Sequence, residues 1–285
     1  MNILRHAADV FLIASGFITV YALLLCGATA VLLPADWPMP LAVYGLVGGG
    51  TLAAYNYHAL VQQHSGSRAL LPEAMRRIQR ACVTMGGVTI GISLMSLPVV
   101  VWMLAAALGV LTMLYSTPMF AFGGKKRLKD FGGLKWLILA VVWTLATTMI
   151  PATASGLRLP EVWTMFRDEM IVRTLLLLPL CLAFDIRDVH SDSAAGVRTI
   201  PAWLGIKRSE WLVTVLLALF AGVNAFLFHE FLPFAALGVG VALYGWVAAR
   251  AAVRTGDDAI AYLGWLDGTL ALYAAMHIIV AWHSA

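Results

Sequence analysis

Charged residues are scarce in this chain, and their scarcity limits the kind of protein it can be. Asp, Glu, Lys and Arg make up 12% of the 285 residues, whereas 61% are hydrophobic. Soluble domains carry about 25% charged residues. We therefore expect most of this chain to face lipid or a core buried within the membrane.

The chain also has few cysteines and no continuous basic surface. Cys26, Cys82 and Cys181 fall within apolar runs at no metal-ligand spacing, so they predict neither a disulfide framework nor a cysteine metal site. The net charge is +4, but the basic residues form no face with interleaved aromatic side chains. Nucleic acid is therefore not an expected partner. The first apolar run is too long for a signal peptide, so no cleaved leader is predicted.

Long apolar runs are what the chain has in abundance. A transmembrane helix needs about 20 mostly apolar residues. Nine stretches qualify or nearly qualify, namely residues 9–33, 39–63, 78–97, 99–120, 134–154, 168–186, 209–229, 231–250 and 259–282. The sequence predicts an all-α integral membrane protein in which residues 1–285 form a single transmembrane domain of nine spans.

The basic residues orient these spans. If the N-terminus is cytoplasmic, only Arg158, Arg167 and Arg173 of the 19 Lys and Arg residues fall on the opposite side. Because cytoplasmic loops carry an excess of Lys and Arg, this asymmetry favours a cytoplasmic N-terminus and an outside C-terminus.

An acidic stretch follows the sixth apolar run. Asp185, Asp188 and Asp192 are spaced i, i+3 and i+7, so a continuing helix places them on one face. Such carboxylates repel one another and cost up to roughly 3 kcal/mol each at full membrane depth. A hard divalent cation such as Mg2+ would neutralise them. The alternative is a solvated acidic loop neutralised by Arg187 and Arg198.

Three segments open to the cytoplasm in the predicted topology: residues 64–77, residues 122–135 and the acidic stretch. Together they form a basic rim around the carboxylate cluster. A metal ion with basic side chains is the combination that binds a diphosphate. We therefore expect a phosphorylated substrate whose head lies in the basic rim and whose apolar tail lies between helices.

Residues 185–205 resemble the second aspartate motif of the UbiA superfamily of intramembrane prenyltransferases. The three aspartates are followed by Gly196, by Arg198-Thr199-Ile200-Pro201 and by Leu204-Gly205. The middle of the chain is also similar to that family, with Leu114-Tyr115-Ser116 before the basic loop and Leu134-Lys135 after it. Length and span number agree, so the resemblance covers nearly the whole chain.

The resemblance implies a bundle of nine helices around a central cavity, with two facing aspartate motifs that hold Mg2+ and the diphosphate of an isoprenoid donor. It implies ionisation of the allylic C–O bond and attack by a lipophilic acceptor, such as an aromatic quinone precursor. It further implies a location among the lipids of a bacterial inner membrane.

Carried onto this chain, the family's metal ligands are Asp185, Asp188 and Asp192, and Tyr115 lies near the reacting carbon, where its ring or hydroxyl stabilises positive charge. The candidates for contact with the diphosphate are Lys125, Lys126, Arg127, Lys129 and Arg198. At the end of the second span, Asn56, His58 and His64 are candidates for substrate binding; the alternative for the two histidines is a polar role at the membrane interface.

The first motif of the family, Asn-Asp-x-x-Asp-x-x-x-Asp, is degenerate here. Asn56 is present, but Tyr57, Leu60 and His64 stand where the three aspartates are expected. Three interpretations follow. One metal ion on the second motif still supports prenyl transfer, or the scaffold catalyses another reaction on a phosphorylated lipid, or the protein binds an isoprenoid or quinone-like lipid without catalysis.

Other residues within the spans predict packing or function. Asp267 is a functional candidate because ionisable groups are costly in a membrane, and a hydrogen-bonded structural role is the alternative. Glu169 and Arg173 predict a local i, i+4 ion pair. Two glycine groups, Gly48-Gly49-Gly50 and Gly87-x-x-x-Gly91, predict close helix contacts.

Overall fold

The computed structural model describes residues 11, 14–64, 70–117, 135–194, 197–255 and 260–284. Within these ranges the chain is helical and contains no strand. The helices are α1 Gly16–Ala30, α2 Ala42–His64, α3 Glu73–Leu94, α4 Val99–Ser116, α5 Lys135–Ala154, α6 Leu159–Arg187, α7 Val189–Ala194, α8 Ile200–Leu204, α9 Ile206–Leu227, α10 Leu232–Thr255 and α11 Gly268–Ser284. A π-turn at Leu145–Met149 lies inside α5, and a second one, Ile260–Leu266, precedes α11.

The all-α class is confirmed, and in the described residues each of the nine predicted stretches contains a helix. Four helical segments are long and apolar enough to cross a membrane: Lys135–Ala154, Ile206–Leu227, Leu232–Thr255 and Ile260–Ala281. Two shorter apolar helices are Gly16–Ala30 and Val99–Tyr115. The nine-span count, the orientation of the termini and the central cavity stay predictions.

Helix α6 begins nearer the N-terminus than the predicted span 168–186. Glu161 accepts a hydrogen bond of 2.8 Å from the backbone N–H of Arg158, and Pro160 occupies the first turn. These are favourable helix-start features, because the first backbone N–H groups have no partner within the helix and proline needs none. The helix is therefore 29 residues long and begins before the predicted apolar run. Its C-terminal end carries the start of the carboxylate motif.

Helices α2 and α3 approach each other closely at glycines. A Cβ atom on Gly86 would lie 2.5 Å from the carbonyl oxygen of Gly49, while one on Gly87 or Gly91 would meet nothing within 4 Å. The prediction for the first glycine group is thus confirmed for Gly49 but not for Gly50, whose added Cβ would meet nothing within 4 Å. The prediction for Gly87 and Gly91 is wrong, because α3 turns Gly86 towards α2 instead.

We expect Gly86→Ala to destabilise the fold by about 1–3 kcal/mol, because the added methyl group must push two backbones apart. Gly87→Ala is the matched control, and it should leave stability nearly unchanged. Reversible unfolding of both variants in detergent measures the difference. Equal stability of the two variants would contradict the close contact.

A buried polar network joins α6 to α1, α5 and α11. Glu169 pairs with Arg173 at 2.6 Å, with His277 Nε2 at 2.9 Å and with the Tyr273 hydroxyl at 3.0 Å. Each of these side chains is at most 4% exposed. The predicted Glu169–Arg173 ion pair is confirmed, but it lies in the core of the bundle and has partners that the spacing could not show.

Pro151 leaves a backbone carbonyl of α5 free to join this network. Pro151 has no N–H, so it cannot donate to the carbonyl of Thr147 four residues earlier. That carbonyl instead accepts hydrogen bonds of 2.7 Å from Arg173 and 2.7 Å from the Thr29 hydroxyl. Because buried backbone groups need partners, the proline and the arginine fit one another.

We expect Glu169→Ala to destabilise the protein by about 3–5 kcal/mol, because it leaves Arg173 buried without a counter-charge. The matched control is Asp168→Ala, on the same helix, which removes a partly exposed ion pair with Arg167 and should change stability little. Unfolding midpoints in detergent compare the two. A loss from Glu169→Ala no greater than that from the control would show that the network does not stabilise the fold.

Candidate active site

The three predicted aspartates follow one nearly continuous helical path. Helix α6 ends at Arg187, Asp188 forms its C-cap, and α7 begins at the next residue. The backbone N–H of Asp192 donates to the Asp188 carbonyl at 2.8 Å, which carries the helical spacing across the junction. The Asp185 side chain is 2% exposed, against 33% for Asp188 and 21% for Asp192. The motif therefore begins inside the bundle and ends near its surface.

Lys135, on α5, lies between two of these carboxylates. Its Nζ is 2.7 Å from Asp185 Oδ1 and 3.0 Å from Asp192 Oδ2. From the sequence, Lys135 is interpreted only as part of the basic loop, and its contact with the aspartates is not predicted. No spacing pattern marks this contact, because Lys135 is 57 residues from Asp192 in the sequence.

Arg187 neutralises the third carboxylate. Its Nε lies 2.7 Å from Asp188 Oδ1, and its guanidinium group lies 4.9 Å from the ring centre of Phe184 and 5.0 Å from that of Tyr262. The alternative of a solvated acidic loop neutralised by Arg187 and Arg198 is correct for the Arg187–Asp188 pair. It is wrong for Asp185, whose side chain is buried. Among the described contacts, Arg198 forms no ion pair with Asp185, Asp188 or Asp192.

The residues present fit one divalent ion better than two. Within the described ranges no three His, Cys, Asp or Glu side chains converge into a ready metal site. However, Asp185 Oδ2 is buried without a hydrogen-bond partner, and three carboxylates with two paired cations leave one net negative charge. Because Mg2+ is commonly held by one or two carboxylates plus substrate phosphates, a single ion needs no preformed cage.

The degenerate first motif has taken up structural contacts. The Asn56 amide donates to the carbonyls of Ala14 and Leu52 at 2.9 and 2.8 Å, while its own Oδ1 is buried without a described partner. The Tyr57 hydroxyl lies 3.2 Å from that of Thr117. His64, at the end of α2, is exposed. The positions of this motif therefore offer one amide oxygen and no carboxylate.

Tyr115 and His58 come together beside the aspartates. Tyr115 is 8% exposed, its ring centre lies 5.8 Å from that of His58, and it is within range of the charges of Asp185 and Asp192. The Tyr55 hydroxyl on α2 accepts a hydrogen bond of 3.1 Å from the ring nitrogen of Trp143 on α5. Aromatic rings thus accompany the carboxylates.

Asp267, like Glu169 and Asp185, is a buried carboxylate. It is 4% exposed, and its Oδ2 has no hydrogen-bond partner among the described residues. The charge of Arg187 acts on it. The alternative of a hydrogen-bonded structural role stays a prediction, and this oxygen contributes no hydrogen bond to it.

The basic rim is only partly visible in the structure. Lys125, Lys126, Arg127 and Lys129 lie outside the described residues. Arg198 is exposed and lines a surface depression of about 380 Å³ with Trp203. On α3, a hydrogen bond from Arg80, with the charges of the neighbouring arginines, lowers the pKa of the Glu73 carboxyl below its ordinary value.

Comparison with known proteins places this arrangement in a family. The sequence profile described as the UbiA prenyltransferase family matches residues 70–266. No curated protein matches the chain significantly.

Three solved structures are similar in fold. One is a UbiA homolog from Archaeoglobus fulgidus bound to GPP and Mg2+ (TM-score 0.64, 14% identity, 95% of this chain and 99% of that one). The second is the apo structure of a UbiA homolog from Aeropyrum pernix K1 (TM-score 0.60, 16% identity, 92% and 94%). The third is a digeranylgeranylglyceryl phosphate synthase (TM-score 0.59, 12% identity, 96% and 98%). Since the profile match spans more than half of its length, this chain belongs to the UbiA prenyltransferase family.

Proposed function

We propose that this protein is a membrane-embedded, prenyltransferase-like enzyme that uses an isoprenoid diphosphate donor and a lipophilic acceptor with the help of one Mg2+. The observation that carries the proposal is Asp185, a carboxylate 2% exposed whose Oδ2 has no hydrogen-bond donor. A UbiA homolog of the same fold binds GPP and Mg2+. Asp185 lies in the stretch that resembles the second aspartate motif of the family, and its free carboxylate oxygen is suited to binding Mg2+ in the same way.

The proposed roles follow from position. Asp185, Asp188 and Asp192 hold the ion, which when bound supplies counter-charge to the diphosphate leaving group. Lys135 keeps Asp185 and Asp192 in place. Substrate phosphates meet Arg198 and the basic loop Lys125, Lys126, Arg127 and Lys129.

The aromatic and imidazole groups serve the other half of the reaction. The Tyr115 ring stabilises positive charge on the prenyl group, because the face of an aromatic ring attracts a cation. Next to it, His58 accepts the proton that the acceptor loses. Asn56 and His64 contact the substrate from α2, and the apolar tail lies between helices.

A second candidate is a noncatalytic protein that binds an isoprenoid or quinone-like lipid. The observation in its favour is the loss of every carboxylate from the first motif, since Tyr57 contacts Thr117 instead of a metal. For both candidates we propose the inner membrane of a bacterium as the location, with the site on the cytoplasmic side.

We expect the wild-type protein in detergent to release pyrophosphate from farnesyl or geranylgeranyl diphosphate only when Mg2+ is present. Asp188→Ala should reduce the rate at least about tenfold, because it removes a carboxylate and frees Arg187 to change its contacts. Asp168→Ala is the matched control, a partly exposed aspartate in the first half of α6, and it should keep the wild-type rate.

Equal background release from wild type and Asp188→Ala would contradict the transferase. If an isoprenoid diphosphate still binds, and Asp185→Ala and Asp192→Ala bind it as the wild type does, the noncatalytic candidate is the correct one. Loss of binding in those two variants supports the proposed site.

A further inference from the structure

Lys135 holds a position that a metal ion would suit. Its single nitrogen contacts carboxylates from two elements, Asp185 on α6 and Asp192 on α7, at 2.7 and 3.0 Å. These are charge-assisted contacts of ordinary length. The Lys135 side chain is 11% exposed, so water screens the interaction little. A cation shared by two carboxylates is what a bridging divalent ion otherwise provides.

The donor count of the lysine supports this comparison. Its ammonium group has three donors, and the two aspartates account for two of them. The third donor is suited to an oxygen of a substrate phosphate.

The charge balance leads to the same conclusion. The acidic motif contains three aspartates, which Lys135 and Arg187 reduce to one net negative charge. One divalent ion makes the cluster positive, which an anionic diphosphate requires. A second ion would have no carboxylate from α2 to hold it, since Tyr57, Leu60 and His64 stand in that motif.

We propose that Lys135 is a built-in replacement for one of the two divalent cations, so that the site takes one metal ion where two would otherwise be needed. The inference rests on the proposed function, because it concerns the same diphosphate site. It explains how the chain tolerates a first motif without carboxylates: the cation that such a motif would help to hold is supplied by the protein.

The test is a count of bound ions by Mn2+ titration followed by electron paramagnetic resonance, on the full-length protein in detergent. Lys135→Met should bind one more Mn2+ per chain than the wild type, because the carboxylates it exposes then need a cation. Lys207→Met removes an exposed lysine and should bind as many ions as the wild type. Equal counts for wild type and Lys135→Met, or two ions already bound by the wild type, would overturn the proposal.

Thermal unfolding gives an independent readout. Lys135→Met should unfold at a lower temperature than the wild type in EDTA and recover most of that loss in excess Mg2+, whereas the wild type should respond less. Lys135→Gln, which retains a hydrogen-bond donor, serves if the methionine variant does not fold. A loss that Mg2+ does not reverse in a folded variant contradicts the proposal. Pyrophosphate release by the wild type is measured separately, so a failed prenyltransferase and a failed lysine replacement are distinguishable.

Discussion

A charge buried among membrane helices must be compensated by the protein itself, and α6 carries two sites where this constraint is met. Glu169 is neutralised by Arg173 near the middle of the helix, and Asp185 by Lys135 near its C-terminal end. Sixteen residues separate the two acidic residues, which is about 24 Å along an α-helix. The first site is closed by hydrogen bonds from three side chains, while the second leaves a carboxylate oxygen without a partner.

That difference separates structure from function. A fully bonded network such as the one around Glu169 fixes α1, α5, α6 and α11 in one arrangement, because each member loses its partner if another moves. The cluster at Asp185 is partly bonded and contains a residual negative charge. An incomplete buried site of this kind is costly unless a ligand completes it, so it is the better candidate for binding a cation and a phosphorylated lipid.

The sequence alone predicted much of this. The apolar runs located the helices, because about 20 apolar residues have few alternatives to a membrane helix, and the spacing of Asp185, Asp188 and Asp192 located the motif. Lys135 could not be paired with Asp185 from spacing, because the 50 residues that separate them form α5 and most of α6. The partners of Glu169 on α11 depend on the rotation of that helix, which a mostly apolar helix does not reveal. The choice of Gly86 over Gly87 depends on how α3 is turned towards α2, and two adjacent glycines give no sign of which one faces the neighbour.

The central claim is that a lysine and a buried carboxylate together receive the head of an isoprenoid diphosphate. An experimental structure in lipid nanodiscs, with Mg2+ and a nonhydrolysable isoprenoid thiodiphosphate, tests it most directly. The account predicts the diphosphate next to Lys135 and one metal ion on Asp185 Oδ2. A headgroup that contacts neither residue, or two metal ions bound beside an unmoved Lys135, would contradict it.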